Sequence, residues 1–548
     1  MCQRPPPAVV LLWRIYANRQ KSANKADRRG FARSDGGIKS AAWASAGVVG
    51  RGAWLLSKTA IPAGDAGSAG QRRLMGCKGV RGHIWAAAIL ALAGAGLGIG
   101  CSRAAADTLE WALVQAYQNN PSLNAQRAAL RATDENVPQA LSGYRPKVSV
   151  TANGGYNYSN SVSQFPLVTG GPVSTIQYAE AFASRGVGAT GTYTLFNGFQ
   201  NANRTRQAES QVEGARETLR VTEQQVLLDA ATAYMNLLRD QAILDLNRRN
   251  VEVLTEQLKQ TRDRFNVGEV TRTDVAQAES RLAAGRSALL GAQSNFVTSQ
   301  ANYRRVIGVD PGRLAPGTPV DRLSPNTLPK AVTQGQAQSP SVLAAMYGVD
   351  VAALAVKISE GALYPNLTLT ASASEGNYPA FEVLRQTQAS IVGQLTVPLY
   401  QGGAEYSAIR QFKETLGQQR LNLDVNRDQA RATVVQSWGQ LDAAKAQIES
   451  TTAQVNAAEI ALNGVREEAR VGQRTTLDVL NAQQELVNAR VALVTAQHDR
   501  VVASYTLLAA VGALSMQRLG LNVQIYDPMV HYQQVRDAWV GVRIPDGR

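Results

Sequence analysis

The chain has 548 residues, of which 45% are hydrophobic and 18% charged, and its formal net charge is +14. That excess lies almost wholly in residues 1–106, which hold 16 Lys and Arg against 3 Asp, so residues 107–548 carry 40 basic and 39 acidic side chains. A nearly neutral body removes the charge argument for a nucleic-acid partner or an anionic membrane surface. All three cysteines, Cys2, Cys77 and Cys101, also precede residue 107, which excludes cysteine nucleophiles, disulfides and thiolate metal sites from the body.

Residues 75–106 have the features of a secretory signal peptide. A basic segment opens at Met75, an apolar run extends from Ile84 to Ile99, and three alanines precede Asp107 as an A-x-A cleavage site. The run is shorter than the roughly 20 residues that a membrane-spanning helix needs, and no later stretch approaches that length. We therefore expect no transmembrane helix after cleavage. Cys101 offers an alternative, as the lipidated first residue of the mature chain.

The body of the chain contains a duplicated unit. Two segments recur at a constant offset of 204 residues and a third recurs at 219: Val267–Val275 as Val471–Val479, Leu195–Gly198 as Leu399–Gly402, and Pro146–Ala152 as Pro365–Ala371. Self-similarity on this scale predicts two copies of one structural unit, so differences between the copies are candidates for function.

The duplication and the composition divide the chain into six parts. Residues 1–74 are expected to be disordered or to lie upstream of a true start at Met75, and 75–106 form the signal peptide. The other parts are a first structural repeat over 107–310, a Pro-rich linker over 311–337, a second repeat over 338–515 and a C-terminal tail over 516–548.

Each repeat has two segments in which every second residue is apolar, aromatic or Gly and most residues between them are Ser, Thr, Asn or Gln. These segments begin near Val148, Val187, Leu367 and Ile391, and each predicts a strand of about ten residues. Residues 160–184 are expected to form the loop between the first two strands. A half-buried soluble sheet gives the same alternation, but a wet face with almost no charge opposite a small aliphatic face favours membrane strands.

Each repeat also predicts one very long helix. No proline occurs between Asn201 and Phe265, and apolar residues recur there every seven positions: Leu237, Leu244, Val251, Leu258 and Phe265. The same register returns 204 residues later at Leu441, Ile448, Val455, Leu462 and Ala469. A helix of about 65 residues would be roughly 100 Å long, which is typical of coiled coils. Each is expected to end at a turn containing Gly268 or Gly472, before a return helix that packs back against it.

Four strands are too few to close a barrel, because the smallest membrane barrels have eight. An open sheet in lipid would leave unpaired backbone groups at both edges, each costing several kcal/mol. If these strands enter a membrane, several chains must therefore share one barrel, and three chains would supply twelve strands.

Three features together are specific to one protein family. They are the opening pattern Leu109-x-x-Ala112-x-x-x-Ala116-x-x-x-Asn120-Pro121-x-Leu123, the duplicated halves of helix, strand, strand and helix, and the motif Val-Gly-x-x-Thr-x-x-Asp-Val at both turns. Over about residues 107–515 the chain resembles the TolC family of outer-membrane efflux and type I secretion proteins. The resemblance implies a mainly α fold with a small β part, in which a homotrimer builds an α-barrel tunnel across the periplasm and a shared twelve-stranded β-barrel in the outer membrane.

The resemblance also implies partners and places for them. Substrate would arrive from an inner-membrane transporter and its periplasmic adaptor, and residues 311–337 would lie in the equatorial region of the tunnel. Outer-membrane lipid would surround the strands. Aromatic residues at the strand ends fit an interfacial girdle: Tyr144, Phe196, Tyr364 and Tyr400.

The turn residues carry two interpretations. Thr271-x-x-Asp274 and Thr475-x-x-Asp478 each match a capping box, so a structural role at the start of the return helix is available to both aspartates. In the family that this sequence resembles, the same turns close the periplasmic entrance, which would make the aspartates part of a gate.

The resemblance carries over to particular gate residues. Asp274, with Thr273 and Arg474, becomes a candidate for the closing network, and Asp478 becomes a candidate for a constriction ring. Two positions depart from the family pattern: Ala469 stands in the place of a tyrosine, and Asn481 in the place of a second acidic ring.

Two other classes of protein are alternatives to a channel. An enzyme is disfavoured, because only His498 and His531 lie in the body, the first in a helix expected to be exposed, and neither has a metal or triad spacing. No cofactor, no metal and no nucleic acid is therefore expected. A soluble periplasmic coiled-coil adaptor or structural protein is the alternative, but it would leave four amphipathic strands without a membrane.

Overall fold

The computed structural model describes residues 107–166, 169–380 and 383–545. The predicted signal peptide, the segment 1–74 and Cys101 lie outside the described residues. Within them, helices dominate and one four-stranded sheet is present, so the predicted mainly α class with a small β part is confirmed.

Two helices are far longer than the rest, and the second copy reproduces the first to the residue. In chain order the helices are α1 (Leu109–Asn119), α2 (Pro121–Asp134), α3 (Asn136–Leu141), α4 (Gln200–Asn266), α5 (Arg272–Ile307), α6 (Leu328–Gln338), α7 (Pro340–Gly361), α8 (Ala404–Arg470), α9 (Thr476–Ala510), α10 (Met516–Leu519) and α11 (Pro528–Val535). Helices α4 and α8 each contain 67 residues. Their return helices, α5 and α9, pack back against them, as predicted.

The strands form one antiparallel sheet in the order β1 (Lys147–Pro166), β2 (Val173–Asn197), β3 (Asn366–Ala380), β4 (Val383–Thr396). The start of β1, the end of β2, the start of β3 and the end of β4 therefore lie at one end of the sheet, next to the helices. Residues aligned across the strands share a face, so Val150, Ala189, Ala373 and Ala389 form an apolar row. The adjacent row is polar: Ser149, Thr190, Ser372 and Ser390.

The first hairpin is longer than the sequence predicted. Residues 160–184 were expected to form a loop, but β1 and β2 contain 20 and 25 residues and stay paired from Lys147↔Thr192 to Pro166↔Val173. The expectation of a loop is wrong because polar and Gly-containing segments lack an alternating pattern, yet their backbone groups satisfy one another across the hairpin.

The main core lies midway along the long helices. It joins α1 to the middle of α4 and to the ends of α5 and α9, and its largest fully buried side chains include Tyr234, Tyr303 and Leu508. A smaller core joins α6, α8 and α9 around Val434 and Leu507. The two repeats are therefore packed together near the middle of the long helices. From there α4 and α8 extend to the turns at one end and to the sheet at the other.

One stretch is long and apolar enough to cross a membrane by length and composition, namely Leu328–Gly361, with a mean hydropathy of 1.7 over its most apolar part. The expectation that no later stretch approaches this length was therefore wrong. The stretch is divided at Ser339 and Pro340 into α6 and α7. Helix α6 packs on α8, and α7 packs between α4 and α8.

Candidate functional site

The two turns that end α4 and α8 have the same backbone geometry. Gly268 and Gly472 adopt positive φ angles of 77° and 81°, which a side chain would strain. In the first turn the amides of Gly268 and Glu269 donate to the carbonyl oxygens of Phe265 and Arg264, each at 2.9 Å. The second turn repeats this pattern 204 residues later, so both long helices end in a Schellman motif.

Both aspartates of the turns are engaged in capping boxes. The Thr271 amide donates to Asp274 Oδ2 at 2.9 Å, and the Thr475 amide donates to Asp478 Oδ2 at 3.0 Å. These hydrogen bonds lower the pKa of both carboxyls, with the Thr271 hydroxyl contributing most at Asp274 and the Thr475 amide most at Asp478. The aspartates are thus held ionised at the N-termini of α5 and α9, and this geometry is compatible with both interpretations of the turn.

Arg474 has a partner that the sequence did not suggest. Its Nε donates to Glu468 Oε2 at 2.9 Å, and this contact raises the pKa of Arg474. The first turn holds the reverse pair, in which Arg264 donates to Glu269 at 2.8 Å. Because Arg264 and Glu468 are 204 residues apart, they occupy the same position in the two helices with opposite charge. That reversal was visible in the sequence as a difference between the copies.

A cleft of about 760 Å³ separates the two turns. It brings Asp274 and Arg474 to one cavity, together with Arg264 and Ala469. Neither Thr273 nor Asp478 lines this cleft, and Thr273 is exposed. Asp274 and Arg474 therefore line one cleft from different turns, without a hydrogen bond between them in the described residues.

The two coiled coils do touch just behind the cleft. Arg281 donates to Asn481 Oδ1 at 2.7 Å, and Leu480 is buried among Leu254, Leu258 and Leu282 of the other coil. Sequence reasoning missed both contacts, because nothing in a single repeat indicates that its return helix leans on the other repeat. Asn481 thus holds a position between the coils.

The four girdle candidates lie at the helix-proximal end of the sheet. Tyr144 and Tyr364 precede β1 and β3, while Phe196 lies at the end of β2 and Tyr400 follows β4. Tyr144, Tyr364 and Tyr400 are exposed. A register shift between Thr194 and Phe196 places Phe196 opposite Leu367, on the apolar face.

A further aromatic residue lies at the same end and was missed. Phe199 has a positive φ of 60°, is exposed, and meets the Phe196 ring edge-on at 5.3 Å between centroids. The signal was available in the sequence, since Phe199 follows the strand by two residues, but the left-handed conformation that turns it toward Phe196 was not predictable.

Neither histidine of the body builds a reactive site. His498 was expected in an exposed helix, but it is buried between helices, and burial lowers its pKa. His531 lies in α11, where its Nδ1 is 2.9 Å from Asp134 Oδ2 of α2. Both rings are buried by packing, and each has one carboxylate partner, Asp499 for His498 and Asp134 for His531.

Comparison with known proteins identifies the architecture. A family model described as outer membrane efflux protein matches residues 112–309 and 331–513. The chain belongs to the outer membrane efflux protein family. It is 42% identical to the outer membrane efflux protein BepC of Brucella suis over 446 residues, which cover 81% of this chain and 94% of that protein. It is 26% identical to the outer membrane protein TolC of Escherichia coli, covering 76% of this chain and 85% of that one.

Solved structures agree with this assignment at the level of the fold. The Campylobacter jejuni CmeC outer membrane channel superposes with a TM-score of 0.65 at 15% identity, covering 78% of this chain and 89% of that one. This outer membrane efflux protein is accordingly a transport channel of the outer membrane and not an enzyme. Channels of its family are trimers that work with adaptor proteins.

Proposed function

We propose that this chain assembles as a homotrimer that forms the outer-membrane exit duct of a tripartite export system. In this proposal the twelve strands of three chains close a barrel in the outer membrane, and their long helices build a tunnel into the periplasm. An inner-membrane transporter and a periplasmic adaptor deliver proteins or small toxic compounds to the turn end of the tunnel.

The observation that carries the proposal is the open sheet. Strands β1 and β4 each pair on one side only within the described part of the chain, which leaves two rows of backbone groups without partners. One face of the sheet is apolar, and its side chains Val150, Ile391 and Leu395 are exposed in the single chain. Lipid is the solvent that suits this face, and closure with neighbouring copies is the arrangement that satisfies the edges.

The cleft between the turns supports a gate at the other end. Arg474 lines the cleft, as Asp274 does from the other turn, and it pairs with Glu468 near the end of the preceding helix α8. We propose that Arg474 exchanges Glu468 for Asp274 or Thr273 when the entrance closes, and that the Asp478 carboxylates of three chains form a ring at the constriction. The capping boxes keep both aspartates ionised, as a gate built from charges requires.

Exposed apolar residues at the turns support docking of the adaptor. Val267 and Val471 cap α4 and α8 and are 77% and 71% exposed. They are equivalent in the two repeats, so a trimer would present six such positions at the end of its tunnel. A soluble adaptor acting alone is disfavoured as the role of this chain, because that role leaves the apolar face of the sheet uncovered.

The mass of the detergent-solubilised protein tests the proposal. Native mass spectrometry of protein extracted from outer membranes should give three copies of a chain that begins near Asp107, and denaturation in SDS should give single copies. A folded single copy that is stable in lipid would contradict the shared barrel. Loss of a transported protein or of resistance to small toxic compounds in a deletion strain would then identify the class of cargo.

A further inference from the structure

The C-terminal tail runs along α4 of the first repeat toward the sheet. As residue numbers rise along the tail, the residue numbers of its partners on α4 fall. Arg216 stacks on the Tyr532 ring at 5.1 Å, and Glu209 pairs with Arg536 at 3.8 Å. Because α4 begins at Gln200, directly after β2, a falling residue number on this helix means a position nearer the sheet.

The end of the tail is fastened beside the first residue of β1. Arg145 Nη1 donates to the carbonyl oxygen of Ala538 at 2.7 Å, and the Arg145 guanidinium stacks on the Trp539 ring at 4.5 Å. Arg145 lies two residues before Lys147, where the strand begins. Trp539 is thus held at the level of Tyr144, one of the exposed aromatic residues at this end of the sheet.

The residues that follow Ala538 are strongly apolar and are not covered by the chain. Trp539, Val540 and Val542 are 68%, 94% and 104% exposed, and Ile544 is also exposed. Gly541, with a φ of 123°, redirects the backbone between the two valines. Four large apolar side chains within six residues at a surface indicate a binding partner, because exposing apolar surface to water is unfavourable in free energy.

We propose that residues 539–544 form an interfacial anchor that inserts into the inner leaflet of the outer membrane. Three observations identify lipid as the occupant. The segment adjoins the end of the sheet that the proposed function places in that membrane, it carries Trp together with Val and Ile, and two arginines accompany it, since Arg543 lies within it and Arg145 stacks on Trp539. Trp at the headgroup level, aliphatic side chains below it and basic residues near phosphate form the composition of an interfacial segment.

This inference rests on the proposed orientation of the sheet, with its helix-proximal end at the periplasmic boundary. The tail would lie flat against that boundary, about 5 to 10 Å into the lipid, as interfacial segments do. It would fix the height of each chain in the membrane through the tail, whereas the predicted aromatic girdle would do so from the strands.

Tryptophan fluorescence in brominated lipid tests the anchor. Residues 107–548 contain three tryptophans, Trp111, Trp438 and Trp539, so a Trp111→Phe/Trp438→Phe variant reports on Trp539 alone. In vesicles of phosphatidylethanolamine and phosphatidylglycerol brominated near the glycerol end of the acyl chains, we expect roughly two-fold quenching of Trp539, because an interfacial segment lies at that depth. The matched control retains only Trp438, which lies in α8 and should not be quenched.

A second control tests separately whether the sheet lies in lipid, which the anchor assumes. Val150→Trp in a background without the three native tryptophans places the reporter on the apolar face of β1. If this reporter is quenched and Trp539 is not, the anchor is wrong although the sheet is in lipid. If neither is quenched, the orientation of the sheet and the anchor fail together. Arg145→Ala should reduce quenching of Trp539 while leaving Val150→Trp quenched, because it releases only the tail.

Discussion

At the scale of residues, one equivalent position of the two repeats carries opposite charges next to the turns. Glu468 and Arg264 occupy one position of the repeat, and each binds an oppositely charged residue of its own turn. Both ion pairs are exposed, so they contribute little to stability. In the proposed gate the second pair would exchange partners, since an exposed arginine can change carboxylate partners when the distance between two turns changes.

Channel conductance should respond in opposite directions to the two members of the second pair. Arg474→Ser removes the proposed link across the cleft and should raise single-channel conductance in a planar bilayer. Glu468→Gln frees Arg474 for Asp274 and should lower it. Arg427→Ser is the matched control, because Arg427 pairs with Asp424 in the middle of α8, far from the turn. Equal conductance of all three variants and the parent would exclude the exchange.

Asp478→Asn should reduce cation selectivity by removing three charges from a narrow ring. Thr475→Ala is the matched control, since it removes the hydroxyl of the cap at a cost of about 1 kcal/mol but keeps the carboxylate. Selectivity measured from reversal potentials should fall only in the first variant. If Asp478→Asn leaves selectivity unchanged and lowers helix stability alone, Asp478 is a capping residue and nothing more.

The pH dependence of the cap follows from the sign of the shift. The pKa of Asp478 is lower in the folded chain than in the unfolded chain, so its contribution to stability is complete above the unfolded value, about 3.9. The contribution is lost as the pH falls through the lowered pKa. The stability that the cap confers should therefore hold from neutral pH down to about pH 4, and an earlier loss would assign it to another group.

At the scale of elements, the backbone groups at the end of each long helix need hydrogen-bond partners from outside the helix. The Schellman motifs satisfy the last carbonyl groups of α4 and α8, and the capping boxes satisfy the first amides of α5 and α9. A turn of a few residues thus joins two helices without leaving polar groups unpaired. The duplication preserved all of these contacts, although the charges around them diverged.

Two glycines of α8 and its turn should respond oppositely to alanine. Gly472→Ala forces a side chain into a positive φ and should destabilise the turn by about 1 kcal/mol. Gly464→Ala should stabilise α8 by about 0.5 to 1 kcal/mol, because Gly464 is helical and has space for a methyl group. Urea unfolding of the solubilised channel measures both changes, and a Gly472→Ala variant as stable as the parent would mean that the turn is not held in the Schellman geometry.

The two faces of the sheet should differ in their tolerance of charge. Arg at Val150, Leu369 or Leu395 should impair assembly by roughly 2 to 4 kcal/mol near the bilayer midplane, because these positions would face lipid. The matched substitutions Thr151→Arg, Thr370→Arg and Thr396→Arg would face water and should assemble. The yield of trimer in the outer membrane is the measurement, and equal losses on both faces would mean that the faces are assigned wrongly.

At the scale of the whole molecule, the chain is incomplete by itself. Its core holds the middle of the helices, but the sheet has two open edges and the turns expose apolar residues at the opposite end. Assembly would complete both ends, through other copies in the membrane and through an adaptor at the turns. The tail adds a third exposed surface beside the strands.

A charge introduced at the turns should weaken adaptor docking and leave channel assembly unchanged. Val267→Asp and Val471→Asp should each weaken crosslinking to the periplasmic adaptor, because an apolar contact would acquire a desolvated charge. Val425→Asp is a matched control, since Val425 is also exposed but lies far along α8. Trimer formation should be unchanged in all three variants. Full crosslinking of the two turn variants would exclude docking at Val267 and Val471.

The sequence alone determined the features that depend on period and repetition. Heptad spacing gave α4 and α8 their length, Gly268 and Gly472 marked their ends, and the offset of 204 residues related the two halves. These features follow from local rules, because helix register, positive φ and capping boxes depend on residues only a few positions apart. The alternation of β1 to β4 was equally local. It placed the starts of β1 and β3 within one residue, whereas β2 and β4 begin earlier than predicted, at Val173 and Val383.

Only the tertiary structure decided what depends on distant contacts. Pairing extended β1 and β2 through a segment without alternation, a register shift placed Phe196 on the apolar face, and Glu468 took Arg474 as its partner. The aperiodic tail gained its course from Arg216, Glu209 and Arg145, which are hundreds of residues away in the chain. The free energy of such contacts comes from surfaces that meet only after folding, so no local pattern of residues encodes them.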